Sequence, residues 1–274
     1  MNRIRTLCIA TLGAIALFPA IAQEQVDLVT TGSLDLDSDA ADEAIRPWDL
    51  RIGVLAALGP DFEGADEYEL DAVPYVRASW RERIILRGRS LEANLYRANG
   101  LRFGPMIKTR GGRKDSKADF LRGMGDVDRA FEAGGFVRYA TGPIRLGVNA
   151  LADFSDAHDG TVVEIFSTLR SKQWMPWGSL RVMTTWASSN YMTTYFGIDP
   201  VQSRRSGLPQ FDADAGFKDI RISLGSRVPL VGQWSGLVSV SYVRLLGDAA
   251  DTPLVDDHGD ANQYIAALGV SYEF

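Results

Sequence analysis

The side chains with most chemical reach in this 274-residue chain are its two histidines and a few clusters of carboxylates. His158 stands in "SDAHDG" beside Ser155 and Asp156, and His258 stands in "DDHGD". Ser155, Asp156 and His158 are the residue types of a nucleophile, an orienting acid and a base. Three neighbours in one loop do not readily take that geometry, so a hydrolase is the least favoured reading and no catalytic residue is assigned. Asp248, Asp251, Asp256, Asp257 and Asp260 crowd a second loop. Oxygen ligands at such spacing suit Ca²⁺, but the pattern is not an EF-hand and reads more simply as a solvated acidic loop. No His-x-x-x-His, cysteine pair or glycine-rich phosphate loop occurs, so neither a metal nor a cofactor is expected.

A third set is larger. Arg51, Arg77, Arg102, Arg138, Arg145, Asp153, Glu164, Arg181 and Arg221 recur in segments where every second residue is apolar, and Asp49, Lys108, Glu132, Arg170 and Asp219 keep the same phase. Both signs are present, with arginine in excess. On the inner face of a closed barrel such charges either fill the lumen as a network or line a narrow pore with mild anion preference.

The elements that must position them follow from a period of two. Trp48, Leu50, Ile52, Val54 and Ala56 alternate with Asp49, Arg51 and Gly53, and Ile144, Leu146, Val148 and Ala150 alternate with Arg145, Gly147 and Asn149. The pattern repeats to the last residue, where Tyr264, Ala266, Leu268, Val270, Tyr272 and Phe274 share one face. A soluble sandwich also alternates. Here the polar face carries Arg, Glu and Asp and the strands run about ten residues, which suits tilted membrane strands. Strands are expected near 47–58, 69–80, 82–88, 90–97, 100–109, 131–140, 143–154, 161–170, 176–187, 215–226, 232–245 and 262–274. That predicts a transmembrane antiparallel up-and-down barrel of twelve strands. Ten is the alternative, because "RERIILRGRSLEANLYR" reads as two short strands or one long one.

Connections alternate between short, as in "RANG" and "ATGP", and long, as in 110–130 and 187–214. That is the pattern of a barrel with both termini in the periplasm and its long loops outside. Trp48, Trp80, Trp174, Trp177 and Trp234 fall at the expected periplasmic strand ends, and Trp186, Tyr242 and Tyr264 at the outer ends, as two interfacial girdles. Closing a barrel in lipid requires the last strand to pair, since open edges leave backbone groups unsatisfied. With Phe274 last after alternating apolar residues, Tyr264, Leu268, Val270, Tyr272 and Phe274 also resemble the signal by which outer-membrane barrel proteins are recognised for assembly.

Ahead of the barrel, "MNRIRTLCIATLGAIALFPAIA" has a basic start, an apolar core and a small-x-small end, which predicts a cleaved signal peptide over 1–22 and export to the outer membrane of a Gram-negative cell. Residues 23–45 hold seven Asp or Glu and no Lys or Arg, and read as an acidic tail. The barrel is expected over 46–274. The sole cysteine, Cys8, lies in the leader, so disulfides are not what holds the fold. With 29 basic and 35 acidic residues the chain is net −6, which argues against nucleic-acid binding.

Two stretches carry a resemblance. "TTYFGIDPVQSRRSGLPQFDADAGFKDIRISLG" (193–225), with its "YFG-x-D-P" and "SGLP", and "YVRLLGDAADTPLVDDHGDANQYIAALGVSYEF" (242–274), with "LLGDAADTPLV", resemble the MipA/OmpV family of outer-membrane proteins. The resemblance implies a non-enzymatic outer-membrane β-barrel acting as a scaffold that joins a lytic murein transglycosylase to a murein synthase, in contact with outer-membrane lipid and lipopolysaccharide. The alternative is a narrow channel for small solutes.

Overall fold

The computed structural model describes residues 47–274 apart from 172 and 174. The expected leader (1–22), the expected acidic tail (23–45) and Trp174 lie outside the described residues. Thirteen antiparallel strands form one sheet: β1 (Trp48–Pro60), β2 (Tyr68–Trp80), β3 (Ile84–Arg87), β4 (Ser90–Ala93), β5 (Tyr96–Ala98), β6 (Leu101–Arg110), β7 (Ala130–Thr141), β8 (Ile144–Asp153), β9 (Thr161–Leu169), β10 (Gly178–Ala187), β11 (Gly216–Pro229), β12 (Trp234–Leu245) and β13 (Asn262–Glu273). β1 pairs with β13, and β4 pairs with β6, so the sheet closes on itself. β4 and β5 share one position beside β6, which makes the barrel one of twelve staves.

That shared position is the segment whose sequence fits either ten or twelve strands. Its interruption has a cause across the sheet. Phe103 and Thr109 of β6 bond towards the neighbouring stave through Leu95 N–H to Phe103 O and Thr109 N–H to Arg89 O. Pro105 lies in the same phase and has no N–H to give. Pairing slips by one residue between Glu92↔Met106 and Tyr96↔Phe103. The slip interrupts the strand at Asn94 and Leu95, where the sequence predicts one run over 90–97.

Burial follows the alternation. Val54 and Val238 are 52% and 42% exposed, whereas their neighbours Leu55 and Leu237 are fully buried. The outer surface is an apolar belt that includes Ile52, Leu58, Val148, Ile222, Leu224 and Leu268. Aromatic pairs sit at the end that holds the short turns and both ends of the barrel sheet: Trp48 with Trp80, Trp234 with Tyr272, and Tyr272 with Phe274. Tyr242 and Tyr264 pair at the other end. An apolar belt between aromatic girdles is the exterior of a transmembrane barrel.

The interior is not uniformly polar. On β12, β13, β1 and β2 the inward residues Leu55, Val73, Tyr75, Leu237, Val243 and Ile265 pack as an apolar cluster. Charged residues occupy the facing wall, so the lumen is filled from both sides.

Candidate functional site: the sealed lumen and its arginine-lined mouth

The long-loop end carries a folded cap. It contains α1 (Ser189–Phe196), α2 (Pro200–Ser206), and two one-turn helices, α3 (Asp248–Asp251) and α4 (Pro253–Asp256). α1 turns Tyr191, Met192, Tyr195 and Phe196 inward against Val162, Ala187, Leu245 and Val255. A second cluster joins Phe62, Leu121, Met124, Ile198, Leu208 and Leu254 from four separate loops.

Both resemblance motifs work here. In "YFGIDP", Tyr195 donates its hydroxyl to Gly111 O at 2.9 Å and accepts Arg113 Nη1 on its carbonyl at 2.9 Å. Gly197 lies where a Cβ would stand 2.5 Å from Thr193 O, so the turn out of α1 leaves no room for a side chain. Asp199 caps α2 by accepting from Val201 N and Gln202 N, with Pro200 opening the helix. In "LLGDAADTPLV", Leu245, Leu254 and Val255 are buried, and Thr252 donates to Phe196 O at 2.7 Å. The two motifs meet through that bond. Nearer the rim, burial holds the Asp61 carboxyl above its usual range while the Lys117 ammonium pulls it back.

Below the cap lies a buried charge network. Adjacent staves place Lys108 beside Glu132 and Asn149 beside Glu164. Lys108 Nζ lies 2.6 Å from Glu164 Oε1, and Asn149 donates to Glu164 Oε2 at 2.7 Å. Arg110 forks onto Glu132 at 2.7 and 3.1 Å. On the next wall Lys218 bridges Glu63 and Asp219. Each ion here is paired, which is the condition for burying it.

His158 joins this network rather than a nucleophile. Its ring is fully buried, Nδ1 accepts Gly160 N–H at 3.0 Å, and Nε2 lies 3.2 Å from Glu132 Oε1. Ser155 donates to Asp153 Oδ1 and accepts from Phe131 N, while the Asp153 carboxylate takes the N–H groups of Ser155, Ala157, His158 and Asp159. Asp153 keeps the inward phase of β8, opposite Glu132, and its carboxylate organises the loop. The loop aspartates are dispersed: Asp248 accepts from Asp214 N, and Asp260 from Asn262 N. Among the described residues, no three His, Cys, Asp or Glu side chains gather as a metal would require. His258 stacks on Phe120 in the cap.

The short-turn half of the lumen is different in charge. β1, β2 and β3 turn Arg51, Arg77 and Arg87 inward in register. β6 and β7 do the same with Arg102 and Arg138, and β8 turns Arg145 inward one position nearer the turn, opposite Ala140. Arg181 on β10 and Arg227 on β11 keep the inward phase, as does Arg170 just past β9. Carboxylates here are fewer: Asp49 pairs with Arg51 and Arg77, Glu92 with Arg87 and Arg138, and Glu273 with Arg51 and Arg227. Arg138 and Arg181 face the ring of Phe166 at 4.9 and 4.6 Å, which shields their mutual repulsion. Arg221 lies deeper, beside Asp219 on β11. At the mouth itself, a cavity of about 380 Å³ is lined by Arg170, Trp177, Arg227, Gln233, Trp234 and Ser235 together with Glu273 and Phe274. A sequence reading sees the arginines one by one; that they converge on one end depends on strand register.

Comparison with known proteins places these features in a family. The family model described as "MltA-interacting protein MipA" matches residues 52–274, nearly the whole described barrel. The MltA-interacting proteins of Escherichia coli (strain K12) and Shigella flexneri are each 27% identical to the chain over 89 residues. Those 89 residues are 32% of this chain and 34% of each relative, so the alignment spans about a third of their length. Among solved structures, the CymD monoaromatic hydrocarbon channel is 10% identical, with 94% of this chain and 99% of that one covered and a TM-score of 0.41. The KdgM porin is 7% identical, with 82% and 99% covered and a TM-score of 0.38. From the match over residues 52–274, the chain belongs to the MltA-interacting protein MipA family.

Proposed function

We propose that this outer-membrane barrel is a non-enzymatic scaffold, with its short-turn end and both termini in the periplasm, that docks a murein transglycosylase of the kind its relatives are named for. The observation that supports the reading is the filling of the lumen: a packed cap lies over one end, and ion pairs and an apolar cluster occupy the space beneath. A barrel filled in this way is suited to presenting a fixed surface. Murein lies on the periplasmic side, where the short turns and the tail would meet a partner. A murein synthase is the second partner implied by the resemblance.

The narrow-channel reading draws on one observation, the excess of arginine at the mouth, which would favour anions. Two experiments separate the readings. Capture of a purified lytic murein transglycosylase by the barrel in lipid nanodiscs, with and without residues 24–44, tests docking and asks whether the acidic tail takes part. An electrostatic contribution from the tail would fade as salt rises. Clear single-channel steps in a planar bilayer, together with no capture, would give the case to the channel.

A further inference from the structure

We propose that the short-turn mouth of the lumen is a binding site for a carboxylate-bearing saccharide, the chemistry of a murein fragment. This rests on the reading that this end faces the periplasm. Arginine outnumbers carboxylate on the inward face of this half, from β1 round to β11, so the mouth carries net positive charge. Guanidinium forks match carboxylates in shape as well as in sign. The cavity between Arg170 and Arg227 holds about 380 Å³, far more than an inorganic ion needs and within the range of small-molecule pockets. Its walls set Arg170 and Arg227 beside the indole of Trp177 and the hydrogen-bonding Gln233 and Ser235, with the girdle residue Trp234 at the rim and Glu273 paired to Arg227. Flat apolar faces beside polar groups suit a sugar ring with its C–H and O–H edges. The cap and the ion pairs beneath it occupy the far end, so a ligand drawn in by the arginines is held at the mouth.

The test uses the full-length barrel refolded in an uncharged detergent, titrated with a soluble disaccharide tetrapeptide released from murein, and followed by calorimetry and tryptophan emission. Saturable binding is expected. It should weaken at least tenfold in Arg170→Gln/Arg227→Gln and fade with added salt, with folding confirmed by heat-modifiable mobility. Ser235→Tyr occupies the cavity without removing a charge and should give a similar loss if the double variant does not fold. No saturable binding by the intact barrel, or unchanged affinity in folded variants, would overturn the site. Equal affinity for inorganic phosphate or for phosphatidylglycerol micelles would overturn the saccharide assignment. Because no enzyme is present, this outcome is independent of transglycosylase capture: fragment binding without capture removes the scaffold, and capture without fragment binding removes this site.

Discussion

At the scale of single residues, the buried charges hold each other in place. Glu164 accepts from Lys108 and Asn149 and lies near Arg110, with its side chain only 5% exposed. Glu164→Ala would leave a buried ammonium without its nearest carboxylate, and a loss of about 3–5 kcal/mol is expected in urea unfolding of the barrel in micelles. Arg122, which pairs with Asp119 at the exposed surface, is the control: Arg122→Gln should leave the midpoint where it is. Thr252→Val tests the bond that joins the two motifs. It leaves the Phe196 carbonyl buried without its donor, at a cost of about 1–3 kcal/mol, read in the same way. Individual charges were legible in the sequence because their phase is two. The fates of Ser155, Asp156 and His158 were not, because His158 turns towards Glu132 on another strand and Asp153 gathers the loop's N–H groups.

At the scale of elements, each stave tells lipid from lumen by alternation. Val240→Arg or Val148→Arg places a guanidinium on the apolar belt and should destabilise the barrel by about 2–4 kcal/mol if near the bilayer midplane. Arg145→Gln, on the inner face of β8, should cost much less. Equal losses on both faces would show that the register is wrong. β13 closes the barrel: Phe274 N–H bonds to Leu50 O, and Tyr272 packs between Trp234 and Phe274. Deleting Phe274, or changing Tyr272 and Phe274 to polar residues, should lower the amount of folded, heat-modifiable protein in the outer membrane. Strand positions could be read from the sequence because apolar alternation needs only local information. The break at Asn94 and Leu95 could not, because its cause is Pro105 on a neighbouring stave. "YFGIDP" marked a family without revealing a role, since its partners Gly111, Arg113 and Thr252 come from distant loops.

At the scale of the whole molecule, the filling of the lumen frames what the barrel can do. The cap packs over one end of the lumen, and paired ions with Leu55, Leu237 and Ile265 fill much of what lies beneath; on the proposed scaffold reading, the barrel's work falls to its surfaces. The short-turn end gathers the arginine mouth, the girdle tryptophans and both ends of the barrel sheet in one place. The measurement that bears most directly on this account is an equilibrium titration of purified lytic murein transglycosylase onto the nanodisc-held barrel. The account predicts saturable binding that survives Thr252→Val at the cap and weakens when Trp177 at the short-turn mouth is changed to alanine. Absence of saturable binding, or binding weakened by the cap substitution and indifferent to Trp177, would contradict it.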